Sequence, residues 1–233
     1  MARSKRSGRI WLRLAAALVL VGLAAGIYGW WHMRNWRPDR AEFPVQGAEI
    51  GAEDGSISWP AIKAIGADFA YLDASASAFA RDPSFIDNLG AAGAAGLQVG
   101  AVHRYDPCQP ADKQAANFVV VVPRDPKMLP PVVELRLTAD DCPVKVSDAA
   151  VESELTTFLN QIETHTGKPA LLKLLPNFQD RYGIASRVDR NLWLVRDRIQ
   201  PDYAGRPWTV WTANKSLHTQ ASSHGMRWLV VQP

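Results

Sequence analysis

The apolar positions divide the chain into two unlike stretches. From Leu14 to Trp31 no residue is charged. Eighteen apolar or small residues, at about 1.5 Å rise each, come close to spanning a hydrocarbon core of about 30 Å. Beyond residue 43 the pattern changes to short apolar runs alternating with segments of helical period. Val45–Ile50, Asp68–Asp73, Leu97–Tyr105, Val132–Leu137, Ala170–Leu175, Leu192–Arg196, Pro207–Thr212 and Met226–Val231 read as strands. Ser58 caps a short helix that starts near Pro60 and stops at Gly66. Asp82-Pro83, an N-cap followed by proline at the first helical position, opens a helix to Gly96. Asp112 to Val122 is helical, and Ser147 begins the longest helix, closed by Gly167 and Pro169. Pro38 to Pro44 is a short polar linker, and no internal repeat is visible. Short strands and helices joined by brief loops predict one α/β domain, a parallel barrel.

Composition sharpens this picture. At 233 residues and 47% hydrophobic content the chain has ample material for a packed core. A charged fraction of 21%, with 16 Gly and 16 Pro, excludes a disordered or collagen-like chain. The net charge of +3 is unevenly spread: residues 1–40 carry eight Lys/Arg against Asp39, which leaves the remainder mildly acidic. A basic nucleic-acid-binding face is therefore not expected. Arg3, Lys5, Arg6, Arg9 and Arg13 precede the apolar run, Arg34, Arg37 and Arg40 follow it, and Trp30 and Trp31 stand where an interfacial aromatic belt falls. This pattern predicts a cytoplasmic N-terminus (1–13), a single-pass signal anchor in a bacterial inner membrane (14–31), a linker (32–42) and a domain (43–233) in the periplasm or extracytoplasmic space. A cleaved signal peptide is the competing reading, because Ala24-Ala25-Gly26 offers small residues near a cleavage point.

Cys108 and Cys142 are the two cysteines. In an exported domain they are expected to pair, since each follows one of two adjacent predicted strands. No C-x-x-C is present, and His165, His218 and His224 lack metal-ligand spacing, so neither metal nor cofactor is expected. In a parallel barrel the chemistry collects at the C-terminal ends of the strands. That places Glu49, Asp73, His103 to Tyr105, Glu134, Arg136, Lys173, Arg196, Thr212 and Arg227 together as the side chains to inspect.

The order of motifs resembles the glycoside hydrolase family 25 lysozymes. Phe43-Pro44-Val45-Gln46-Gly47-Ala48-Glu49-Ile50, then Gly55-Ser56-Ile57-Ser58-Trp59, is similar to that family's opening, roughly G-x-D-V-S-x-x-Q-G-x-I-x-W. Asp82-Pro83-Ser84-Phe85 resembles its D-P-x-F helix start. Gly100-Ala101-Val102-His103 resembles its G-x-Y-H-F, and Leu129-Pro130-Pro131-Val132-Val133 its central strand entry. Leu192-Trp193 and Trp208-Thr209-Val210-Trp211 resemble its later strands. The resemblance covers about residues 43–233. It implies a flattened, irregular, TIM-like (β/α) barrel that binds peptidoglycan or another envelope glycan in a groove. It also implies Glu49 and Glu134 as candidate catalytic acids, and a substrate groove including Asp73, His103, Tyr105, Lys173, Trp211 and Arg227.

The departures are as informative. The family's D-x-E, whose Glu protonates the leaving oxygen, is Glu134-Leu135-Arg136 here. A guanidinium cannot give up a proton usefully near neutral pH. The first-strand Asp is Glu49, and the following S-x-x-Q becomes Gly51, Ala52, Glu53 and Asp54. K-A-T-E-G becomes Asp73-Ala74-Ser75-Ala76-Ser77, Y-T becomes Lys173-Leu174, and the final strand's acid aligns with Arg227. Glu134 has two readings: an acid with a raised pKa, or an ion pair with Arg136, two residues along on the same side of the strand. Three functions follow: a domain that has lost hydrolysis and binds a glycan or envelope protein partner, an active muramidase relying on Glu49 and Glu134, and a structural module with an occluded groove. The discriminating observation is whether Glu49, Glu134 and Arg136 line an open groove or interlock.

Overall fold

The computed structural model describes the backbone of residues 4–233 and the side chains from residue 10 onward. Two compact units divide between Trp36 and Arg37. The first contains a single helix, α1 (Ser4–Arg34). Its Ile10–Arg34 portion is long and apolar enough to cross a membrane, with an 18-residue stretch of mean hydropathy 2.2.

The second unit is a closed eight-stranded barrel. Its elements are β1 (Gln46–Ile50), α2 (Trp59–Ala64), β2 (Phe69–Ala76), β3 (Ala80–Arg81), α3 (Phe85–Ala94), β4 (Gln98–Arg104), α4 (Ala111–Val121) and β5 (Val132–Leu135). There follow α5 (Asp148–Thr166), β6 (Leu171–Leu174), α6 (Pro176–Tyr182), β7 (Leu192–Val195), β8 (Val210–Leu217) and β9 (Met226–Val231). Around the barrel the order is β1-β2-β4-β5-β6-β7-β8-β9, closed by β9 against β1, with β3 a short antiparallel appendage on β2.

Three features differ from the sequence expectation. The barrel is not wholly parallel: β9 runs antiparallel to both β1 and β8. Only residues 218–225 separate β8 from β9, fewer than the dozen or so that a parallel crossover needs, so the chain returns directly. The short helix α6 was not expected, although its signals are ordinary: Pro176 at the first helical position and Gly183 at φ 60 just past the end. Strand β8 continues to Leu217 rather than ending at Thr212.

Side-chain alternation then builds the site. Phe69, Tyr71, Val102, Val132, Leu171, Trp193, Val210 and Leu229 form the buried apolar cluster in the barrel. At period two along the same strands, the residues towards the C-terminal ends on that face are Asp73, Arg104, Glu134, Lys173 and Thr212, with Glu49 on β1 and Arg227 near the start of antiparallel β9. A dry apolar plug thus lies beneath a layer of charge. On the outer face, Phe118 of α4, Phe158 of α5 and Phe178 of α6 are fully buried, and truncating such a phenylalanine to alanine costs about 3–5 kcal/mol. The loops after β4 and β5 are joined by a Cys108–Cys142 disulfide with Cα atoms 5.3 Å apart.

Candidate functional site

Lys173 is the centre of the charged layer. It is 2% exposed, and its ammonium lies between Glu49 and Glu134, themselves 1% and 2% exposed. Nζ donates to Glu49 Oε1 and, at 2.5 Å, to Glu134 Oε2. It also stands 5.0 Å from the centroid of the Trp193 ring, whose Nε1 is held by Thr212 Oγ1 at 2.7 Å. The other oxygen of Glu134 accepts from Arg136 Nε at 2.7 Å. Both carboxylate oxygens of Glu134 are therefore engaged by cations. Burial alone would raise the Glu134 pKa, but Lys173 and Arg136 outweigh it and hold the group down at about 2.

A second hub is Arg227. Its Nε faces Glu49 Oε2 at 3.2 Å without hydrogen-bond alignment. Its terminal nitrogens reach Glu53, Asp54 (3.1 Å) and Asp73 (3.3 Å). Arg104 meets the same acids from β4, with Nη2 donating to Asp73 Oδ2 at 2.6 Å and to Glu53 Oε1 at 3.2 Å. Asp54, on the 3-10 turn Ala52–Asp54, also accepts from Gly51 N at 2.7 Å. Gly51 is required here, because a Cβ at that position would collide with Asp73 Oδ2. Asp73 Oδ1 is buried without a donor. Burial, then the charge of Glu49, push Asp73 up to about 7 against the pull of Arg227, Arg104 and Lys173.

Two clefts open beside these hubs. One, of about 310 Å³, is lined by Arg104, Asp106, Glu134, Arg136, Ser77 and Leu137 among others. The other, of about 240 Å³, is lined by Asp73, Ser75, Arg81, Asp82 and Arg104 among others. Glu53, Ala76 and Arg104 border both, so the Glu53–Arg104 ion pair stands at their boundary.

The expected site residues do not all meet. Glu49, Asp73, Glu134, Arg136, Lys173 and Arg227 come together in one charged network. His103 lies instead in the helix layer, fully buried, 4.6 Å from the Phe158 ring and in edge contact with Phe118. Gln114 Oε1 accepts from Asp106 N and also from His103 Nε2–H, while Nδ1 accepts from Ser75 Oγ at 2.8 Å. Burial pushes His103 down to about 4, which keeps it neutral. Trp211 is likewise directed outward, packed on Phe43 and Trp208 with its Nε1 on Arg196 O. Tyr105 borders the larger cleft but buries its ring against Phe158. All three follow from parity: His103, Tyr105 and Trp211 neighbour the inward positions Arg104, Val210 and Thr212, and adjacent strand residues face opposite ways. Arg104, one of the strand-end side chains expected at the barrel mouth, belongs to the network, and so do Glu53 and Asp54, which the sequence reading did not place in the groove. Alternation from the core residue Val102 points to Arg104, whereas nothing in the sequence marks Glu53 and Asp54 as partners of a strand more than 170 residues away. Among the described residues, no group of three His, Cys, Asp or Glu side chains is arranged to hold a metal ion.

Residues 49–220 match the family model for glycosyl hydrolases family 25. The chain belongs to this family. Glu49, Glu134, Arg136, Lys173 and most of the barrel lie inside the matched segment, and Arg227 lies beyond it. Solved structures of family 25 resemble it in fold. A family 25 glycosyl hydrolase from Bacillus anthracis superposes with TM-score 0.76 at 22% identity, covering 86% of this chain and 93% of that one. The bacterial lysozyme from Streptomyces coelicolor gives 0.72 at 21% identity, covering 81% and 92%. A muramidase from Trichobolus zukalii gives 0.69 at 19% identity, covering 81% and 94%. No curated protein matches the chain.

Proposed function

We propose that this family 25 domain binds an envelope glycan of the peptidoglycan type without hydrolysing it, held at a membrane by α1. The observation that carries this reading is the Lys173 ammonium between Glu49 and Glu134. Glycosidic cleavage by paired carboxylates requires one protonated acid and one free carboxylate, with the scissile bond between them. Here the space between the two acids is occupied by a cation. Glu134 stays ionised far below neutral pH, and Arg136 stands at the position of the family's proton donor. The two adjoining clefts remain as room for a sugar chain. In this reading residues 1–13 stay in the cytoplasm, residues 14–31 span the inner membrane once, and the barrel faces the periplasm.

One observation favours the rival reading of an active muramidase. Asp73, with a buried unpartnered oxygen and a pKa near 7, is a carboxyl able to hold a proton at neutral pH, which Glu134 is not. Full-length protein in detergent, incubated with peptidoglycan, separates the two. We expect retention on the sedimented polymer and no release of reducing ends above background. Hydrolysis that disappears in Glu134→Gln or Asp73→Asn would establish the muramidase instead.

A further inference from the structure

The larger cleft has an uneven supply of hydrogen-bonding capacity. Two of its carboxylates are fully spent. Asp106 accepts from Cys108 N at 2.9 Å and from Ser77 Oγ at 2.8 Å, and Glu134 accepts from Arg136 and Lys173. Its guanidiniums are not spent. Arg136 is 57% exposed and uses only Nε, towards Glu134, which leaves both terminal nitrogens without a protein acceptor. Arg104 is 40% exposed and engages acids only through Nη2, which leaves Nη1 without a protein acceptor.

The third acid of the cleft, Glu53, explains how the second guanidinium is held. It is 54% exposed, and one of its oxygens serves both Arg104 and Arg227. The Glu53–Arg104 pair is exposed on both sides, and such pairs contribute little to stability, about 0–1 kcal/mol, whereas the pair with the largely buried Arg227 can persist when Arg104 is released. Glu53 is thus weakly held on Arg104, the arginine that borders both clefts.

We propose that this cleft selects a glycan carrying oxyanion groups, carboxylate or phosphate, which pairs with the free fork of Arg136 and displaces Glu53 from Arg104. This deepens the binding function proposed above and rests on it. A guanidinium matches a carboxylate or phosphate with two parallel hydrogen bonds, which an ammonium cannot do. The cleft, at about 310 Å³, lies at the lower end of the size range of ligand pockets. Substitution of the family's acid by Arg136 therefore does more than remove a proton donor. It turns the position from one that gives a proton to a neutral glycosidic oxygen into one that recognises negative charge.

The test is calorimetric titration of the full-length protein in a non-ionic detergent with three probes of matched length. These are a neutral β-1,4-linked N-acetylglucosamine oligomer, a galacturonic acid oligomer carrying carboxylates, and a glycerol-phosphate oligomer carrying phosphodiesters. At least one anionic probe should bind about tenfold or more tightly than the neutral one, as charge-assisted pairing implies, and the tighter of the two identifies the oxyanion. Raising the salt from about 0.05 to 0.5 M should erode the preference. Arg136→Ala should remove most of the preference and Arg136→Lys should restore only part of it, whereas Glu53→Gln should tighten binding several-fold. Thermal melts check that each variant is folded, and both side chains are exposed enough to be replaced without a cavity. Equal or tighter binding of the neutral oligomer, or an unchanged preference in Arg136→Ala, overturns the inference and leaves the glycan-binding reading standing. Failure of all three probes together with peptidoglycan overturns both.

Discussion

Replacement of Lys173 by Met retains most of the side chain's length and volume but removes the ammonium between Glu49 and Glu134. Removing one partner from a buried ion pair costs about 3–5 kcal/mol, because the remaining charge is left uncompensated. Each carboxylate here keeps one cation, Arg136 at 2.7 Å from Glu134 and Arg227 at 3.2 Å from Glu49. The cost should therefore fall at the lower end, about 3 kcal/mol, or roughly 6–12 °C in Tm for a domain of this size. The pH dependence has a definite sign. Glu134 is held at about 2, below its ordinary 4.5, so its contribution is complete above pH 4.5 and lost as pH falls towards 2. The Tm deficit of the variant relative to the parent should be largest near pH 7 and shrink as the pH falls through this window. Circular-dichroism melts at pH 7 and pH 3.5 measure it. The triple variant Glu49→Gln, Lys173→Met, Glu134→Gln should recover much of the loss, since no buried charge is then stranded. A Lys173→Met variant melting within about 1 °C of the parent at pH 7, or one whose deficit grows on acidification, would refute the view of Lys173 as the counter-ion of both acids.

Four further outcomes follow from the same geometry. Restoring the family motif with Glu134→Asp and Arg136→Glu should yield little reducing-end release from peptidoglycan, because Lys173, Arg227 and Arg104 still fill the layer; strong hydrolysis would show that only the acid pair was missing. Asp73, raised from 3.8 to about 7, contributes stability below pH 3.8 that is lost as pH rises through 7. The parent should lose up to about 4 kcal/mol relative to Asp73→Asn across that window, and a flat difference in urea-unfolding free energy would refute the assignment. Removing the disulfide with Cys108→Ser and Cys142→Ser, whose loop spans 34 residues, should cost about 3–4 kcal/mol by the loop-entropy relation; a denaturation midpoint unchanged from the parent would contradict this. Mass spectrometry of the membrane fraction should find the N-terminus intact, and a soluble periplasmic form beginning near Gly26 would identify a cleaved signal instead.

Most of the barrel was legible because its strands are short apolar runs separated by Pro, Gly and capping residues. The helix α5 announced itself through Ser147 and Gly167, and the Cys108–Cys142 bridge through the adjacency of two strand ends. The direction of β9 was not legible, because a strand ending at Thr212 leaves enough chain for a crossover, and only the continuation of β8 to Leu217 shortens the connection to eight residues. Within the site, the Glu134–Arg136 pair was readable from i, i+2 spacing on one strand. The Lys173 bridge was not, because it joins β1, β5 and β6, and its partners lie 124 and 39 residues away. His103 and Trp211 were drawn into the groove by the resemblance to the family's motifs, although alternation from Val102 and Val210 sends both outward. The second hub was hidden for a different reason. Glu53 and Asp54 sit on a 3-10 turn, where no strand or helix period predicts the direction of a side chain.

The antiparallel closure has a consequence for the order of assembly. Strand β1 meets β2 soon after both have been synthesised, but its other edge stays open until residues 226–231 arrive. Throughout that interval β1 presents an unpaired row of backbone donors and acceptors, the template on which chains aggregate. Glu49, Glu53, Asp54 and Asp73 wait equally long for Arg227. One docking event therefore seals the sheet and neutralises its mouth together. Such contacts between sequence-distant strands slow folding, and until β9 docks the half-built barrel keeps both an open edge and a rim with more acids than bases.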